Sequence, residues 1–284
     1  MVLLLSAIVG LQVARERAAP LPAAEEKLLY VRSPEAVKRM ALSYDSLVAD
    51  IYWIRAIQHY GYTKRSTDPA KTYHLLYPLL DLTTSLDPLF NAAYQFGAIF
   101  LSEPFPGGPG RPDQAIALLQ KGIKAEPENW WLEHSLGFVY YWSYQDFKAA
   151  AYWFDSASKR PGAPPWMAPL AAVTLTHGGN RQASRQLWQH IAQTEGDDWF
   201  RSEAVRRLQQ LDAMDALDVL RNAVAAYAER TGHPARSWSD LVAARILRGI
   251  PRDPTGLTYR LENGEVSLDP SSRMLPLPKA ESLQ

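Results

Sequence analysis

Cysteine is absent from the 284-residue chain. That excludes disulfides, thiolate nucleophiles, iron–sulfur clusters, Cys-ligated zinc and c-type haem attachment. It does not fix the compartment, because oxidising and reducing locations both accept a chain without Cys. An excess of either charge is absent too, with thirty basic residues against thirty acidic ones. The basic footprint of a nucleic-acid binder is therefore missing. His59, His74, His134, His177, His190 and His233 are scattered, without the His-x-x-x-His spacing of a helical metal site. The glycine-rich stretch PFPGGPGRP has no following Lys-Ser/Thr, so it is no phosphate loop. There is no Gly-x-Ser-x-Gly elbow. Glu25-Glu26 and Asp197-Asp198 read as solvated or helix-capping carboxylates. No cofactor, no metal and no catalytic residue is expected, and the chain reads as a non-enzyme.

A long apolar run is also missing. Val2–Val13 is apolar apart from Ser6, Gly10 and Gln12, whereas a spanning helix needs about 20 apolar residues. The length suits a signal-peptide core, but no basic segment precedes it and no small-x-small cleavage site follows. Residues 1–17 are read as a hydrophobic anchor or signal. An uncleaved envelope anchor ranks first, a cleaved signal second and a buried helix third. The expected location is membrane-anchored or exported, in the cell envelope. Residues 18–43 are read as a linker, from the Ala- and Pro-rich stretch Ala18–Glu25.

What is present is helical patterning. From Ser43 to about Arg230, apolar residues recur every three or four positions. Breaks fall at STDP, LDP, EPEN, KRPGAPP and EGDD. Pro127 and Pro161 stand 34 residues apart, with Leu136, Gly137, Tyr140, Ala149 and Trp153 between them. This pattern resembles the tetratricopeptide repeat, a 34-residue helix–turn–helix unit in which small residues let paired helices approach. A second unit starts near Phe90, with Gly97, Ala115 and Pro127 in matching roles. It is six residues too long, and the excess falls in SEPFPGGPGRPDQ, a loop between its helices. A third unit spans Pro164 to Trp199, and a divergent first one spans Tyr44 to Pro88. The resemblance implies an all-α repeat solenoid over residues 44–213, with three to four repeats.

Beyond Asp212 the pattern changes. LDVLRNAVAAYAERTG reads as an amphipathic helix closed by Gly232, and SWSDLVAARIL as a short helix. GLTYRLENGEVSL reads as a hairpin turning at Asn263-Gly264. Residues 214–274 are expected to form a small helix-plus-hairpin module, with 275–284 as a tail. Asp253, Pro254, Gly256 and Tyr259 resemble the Asp-Pro-x-Gly-x-x-Tyr segment of type II secretion major pseudopilins. That family's Trp and second Pro are missing here.

The stretch Glu128–Phe147 holds eight Trp, Tyr or Phe residues. The tetratricopeptide resemblance assigns the second, fifth, ninth, twelfth and thirteenth positions of a repeat's first helix to the concave groove. In the Trp130 unit these are Trp131, His134, Phe138, Tyr141 and Trp142. In the Phe90 unit they include Tyr94 and Leu101. The expected function is an adaptor in the cell envelope that binds a protein or peptide through this aromatic groove. The runner-up is an assembly factor for a pilus or secretion machine, and a carbohydrate binder or enzyme ranks last. The helix around Asp45, Asp50, Arg55 and His59 is read as a self-satisfied charge cluster rather than a site.

Overall fold

The computed structural model describes residues 33–194 and 196–278. The chain is mostly helical, with eleven α-helices among the described residues and one small antiparallel sheet. Its contacts divide it into two compact units, one ending at Ser143 and the other beginning at Tyr144. This division falls inside the expected Trp130 repeat. The expected anchor at 1–17 lies outside the described residues. No described helix is long and apolar enough to cross a membrane.

The first unit contains α1 (Pro34–Met40), α2 (Asp45–Arg65), α3 (Leu76–Leu86), α4 (Asn91–Ser102), α5 (Pro112–Ala125) and α6 (Trp130–Val139). Part of the expected linker is helix α1. Ser33 caps it by accepting from the Ala36 amide at 3.3 Å, and Pro34 supplies a first-turn residue that needs no donor. Helix α2 packs on α3, and α4 packs on α5 and α6. Their shared interior is aliphatic: Leu76, Leu79, Leu80, Leu118, Leu119, Leu132 and Leu136 are all buried. Small residues permit the approach. A Cβ on Gly97 would lie 2.9 Å from side-chain carbons of both Leu80 and Leu118. The expected Pro/Gly loop links α4 to α5. It is tied down where the Tyr73 hydroxyl donates to the carbonyls of Pro106 and Gly107 at 2.9 and 2.8 Å.

The second unit contains α7 (Phe147–Ser158), α8 (Met167–His177), α9 (Arg181–Thr194), α10 (Asp198–Thr231) and α11 (Trp238–Ala243). Helix α8 packs on both α7 and α9, and α9 on α10. Gly178 ends α8 where a Cβ would meet Phe147 Cβ at 2.6 Å. Asp197 starts α10 by accepting from the amides of Trp199 and Phe200. Gly232 ends it at a φ of 76°, a backbone state glycine adopts without strain. The boundary expected at 213/214 falls in the middle of α10. The helical period runs through Met214 without a breaker, so the sixteen helical residues before it, 198–213, and the start of the hairpin module share one rod.

Strands β1 (Arg260–Glu262) and β2 (Glu265–Ser267) pair antiparallel, with Leu261 opposite Val266. Asn263 and Gly264 turn between them at φ of 53° and 84°, the double left-handed turn that matches strand twist. The Asp-Pro-x-Gly-x-x-Tyr segment is a tight fold around one buried carboxylate. Asp253 Oδ1 accepts from the amides of Thr255 and Leu257 and from the Thr255 hydroxyl, and Oδ2 accepts from the Ser272 hydroxyl. Trp238 Nε1 donates to the Tyr259 carbonyl at 2.6 Å, which joins α11 to this turn.

Burial alone would raise the Asp253 pKa, but the donors from Ser272, Thr255 and Leu257 outweigh it and hold it below the usual value. The stabilisation is therefore present above the unfolded-state value of about 3.9 and is lost as pH falls through the lower folded-state value. Asp253→Asn is expected to lower stability by about 1–3 kcal/mol at pH 7. The difference from wild type should shrink in acid. Urea melts at pH 7 and pH 3 check both statements.

Candidate functional site

The aromatic stretch is built on α6 and the turn that follows it. Asn129 caps α6 by accepting from the Trp131 amide at 3.1 Å, and its own amide donates to Asn91 Oδ1 on α4 at 2.9 Å. Leu132, Leu136 and Val139 point inward and are buried. Trp131 and Phe138 lie on the other side, as a seven-residue spacing demands. The rings form a contiguous run: Trp131 to His134 at 5.5 Å between centroids, and His134 to Phe138 at 4.7 Å, edge to face. Such offset ring contacts rigidify a surface without polar anchors.

After Val139 the helix widens to a π-turn over Tyr140–Tyr144, a rare geometry that recurs at functional positions. It ends at Gln145, whose φ is 50°, and Asp146 then caps α7 by accepting from the Ala149 amide at 2.9 Å. Tyr141 and Trp142 are edge to face at 5.1 Å. Trp142 is 72% exposed and Trp131 41%, while His134, Phe138 and Tyr141 are half-buried. Burial lowers the His134 pKa to about 4. The imidazole is thus neutral at pH 7, and the run carries no charge of its own.

Tyr94 and Leu101 are corrected. Both are 0% exposed, because this face of α4 turns into the packing with its neighbours. A Cβ on Gly122 of α5 would lie 3.0 Å from the Tyr94 ring. Burial pushes the Tyr94 phenol up to about 12. On α8 the corresponding Ala172, Leu175 and Thr176 are buried as well. Among the expected groove positions, the exposed aromatic residues are therefore Trp131 and Trp142, on α6 and its turn.

On the helix carrying Asp45, Asp50, Arg55 and His59, the four side chains differ in exposure. His59 is buried with its ring edge-on to His74 at 6.2 Å, Arg55 sits 5.1 Å from the Tyr52 ring centroid, and Asp50 is exposed. A different cluster emerges beside it. Glu103 accepts from Lys64 at 2.6 and 2.8 Å and from the Tyr60 hydroxyl. The Lys64 hydrogen bond is the largest cause of the lowered Glu103 pKa, and the Lys64 charge lowers it further. The group locks α2 to the start of the Pro/Gly loop. Sequence spacing could not pair residues 39 positions apart.

On the second unit, Arg181 and Arg185 flank an open polar depression with Gly179, Asn180 and Asp215. Asp212, Asp215 and Asp218 hold both guanidiniums at 2.5–2.9 Å. Three carboxylates on two cations leave no positive field for an anion. Among the described residues no group of three or more acidic or His side chains could hold a metal. No family model, curated protein or solved structure matches the chain.

These burials separate surface from core in one mutational series. Trp142→Ala is expected to change stability by less than about 0.5 kcal/mol. Leu101→Ala should cost about 2–5 kcal/mol and Tyr94→Ala about 3–5 kcal/mol. Chemical denaturation of the three variants measures this order, and a reversed order would place Trp142 in the core.

Proposed function

We propose that the chain is a scaffold of tetratricopeptide-like helical repeats that binds another protein through the aromatic run of α6 and its π-turn. One observation carries this reading: Trp131 and Trp142 stay exposed on the outward side of a helix whose inward side is fully packed. Exposed tryptophans are costly surface, and clusters of them mark docking sites. The uncharged state of His134 favours an apolar contact over an ionic one. The repeat reading is supported by helix pairs α2/α3, α4/α5 and α8/α9, each of which packs as a neighbouring pair, and by the small residues at those contacts. A carbohydrate site would need polar groups beside the rings, and Asn91 and Asn129 already bond each other.

A second reading, an assembly factor for a pilus or secretion machine, draws on the Asp253 turn and the Asn263-Gly264 hairpin, which together build the pseudopilin-like segment as one folded piece.

Binding is tested with cross-linked pull-downs from native lysate, comparing wild type with Trp131→Ala and Trp142→Ala. Loss of one partner from both variants, at unchanged melting temperature, is the expected result. Against a purified partner each variant should lose about 2 kcal/mol or more of affinity. Equal capture by wild type and variants sinks the aromatic site. The reading also places a membrane tether in residues 2–13. Carbonate-washed membranes should retain the full-length chain, and its release into the soluble fraction would remove the tether.

A further inference from the structure

Helix α2 carries a second apolar surface, apart from the aromatic run. Leu47 is 58% exposed and Ile54 52%, and Ile51 and Ile57 are also open to solvent. Positions 47, 50, 54, 57 and 61 are spaced three, four, three and four, which is the seam of a two-helix coil. The inward face of the same helix, with Ala49, Tyr52, Ala56 and His59, is buried, so the seam is not the core stripe.

Gly61 is the second observation. It sits inside a 21-residue helix, where glycine costs about 1 kcal/mol relative to alanine. Nothing within the molecule requires it, because a Cβ there would meet no atom within 4 Å. A helical glycine on an exposed seam makes sense as a hole for a side chain arriving from outside.

We propose that this face of α2 is the contact between two copies of the chain, with the two α2 helices antiparallel and crossing at Ile54. The occupant follows from the seam's self-complementarity. A two-fold axis through Ile54 sets residue 47 against 61, 50 against 58, and 51 against 57. Leu47 of each copy then fills the space above Gly61 of the other. The exposed Asp50 carboxylate meets the exposed Gln58 amide, which can donate to it, and Ile51 meets Ile57. Every pairing is a match, and each occurs twice, as an isologous interface requires. The seam is about 21 Å long at 1.5 Å per residue. Phe96 and Ile99 on α4, both exposed, widen the apolar area. Phe96 joins α2 through Phe100, whose ring stacks on Trp53 and Tyr60.

Sedimentation equilibrium of the full chain at about 100 μM, a concentration suited to a small specific interface, should give twice the 31.9 kDa chain mass. Ile54→Glu should give the monomer mass with unchanged helical circular dichroism, because Ile54 is exposed within the single chain. Trp142→Ala should remain dimeric, which separates this surface from the aromatic one. The absence of cysteine makes the geometry directly readable. Ile54→Cys should join two copies through a short bis-maleimide, whereas Leu47→Cys should not, since the two Leu47 sites lie at opposite ends of the seam. A monomeric wild type, a dimer that survives Ile54→Glu, or Leu47→Cys linking as readily as Ile54→Cys would each overturn the proposal.

Discussion

Close approach of helices at small residues is the constraint on which both units rest. Gly97 admits Leu80 and Leu118 to the backbone of α4, Gly122 admits the ring of Tyr94, and Gly178 admits Phe147. Each glycine is met by a large apolar group, so the volume it vacates is filled from a neighbouring helix. Removing that fit would push helices apart and open voids, which cores tolerate poorly. The same fit decides orientation. Once α4 turns Ala93, Tyr94, Gly97, Ala98 and Leu101 toward its neighbours, only Phe96 and Ile99 are left outside.

Aromatic residues serve two separate purposes. Between α2 and α4 they act as spacers. The Phe100 ring stacks 4.2 Å from Tyr60 and 6.2 Å from Trp53, and Trp53 also meets Phe90 at 6.0 Å. Rings fill a gap too wide for direct helix packing, and the Tyr60–Glu103–Lys64 group closes its end. On α6 the rings gather on the outward side instead. A single count of aromatic residues cannot distinguish these uses, because both give the same composition.

Much of the architecture was legible in the sequence, for identifiable reasons. The Pro/Gly loop announced itself because Pro104, Pro106 and Pro109 break a helix, while Pro112 suits the first position of the next one. The hairpin did so because Asn-Gly is among the few pairs at ease with two left-handed residues. The aromatic run was legible in part: the spacing of Trp131, Phe138 and Trp142 predicted a common face. Tyr94 and Leu101 were misplaced because a repeat frame assigns groove positions by number, whereas rotation of α4 is set by which neighbours its glycines admit. The boundary at 213/214 was misplaced because a change of pattern need not be a break in the helix. Helix α1 was hidden by its brevity, and the Lys64–Glu103 contact by its separation in sequence.

Helix α10 spans both patterns. Ala204, Leu211 and Met214 pack with Trp188 and Ile191, while Ala213, Leu217, Leu220, Val224 and Tyr227 pack with Trp238, Tyr259 and Val266. The buried Gln210 amide donates to the carbonyls of Met274 and Pro276 at 2.8 and 3.0 Å, so the chain returns past the hairpin to the middle of this rod. Leu277 touches both apolar clusters. Melting of either cluster would free half of a continuous helix and unclasp the returning segment from the other half. The hairpin and the helices before it are thereby made to fold as one thermodynamic partner, and a protease nick near Met274 would be felt some sixty residues upstream.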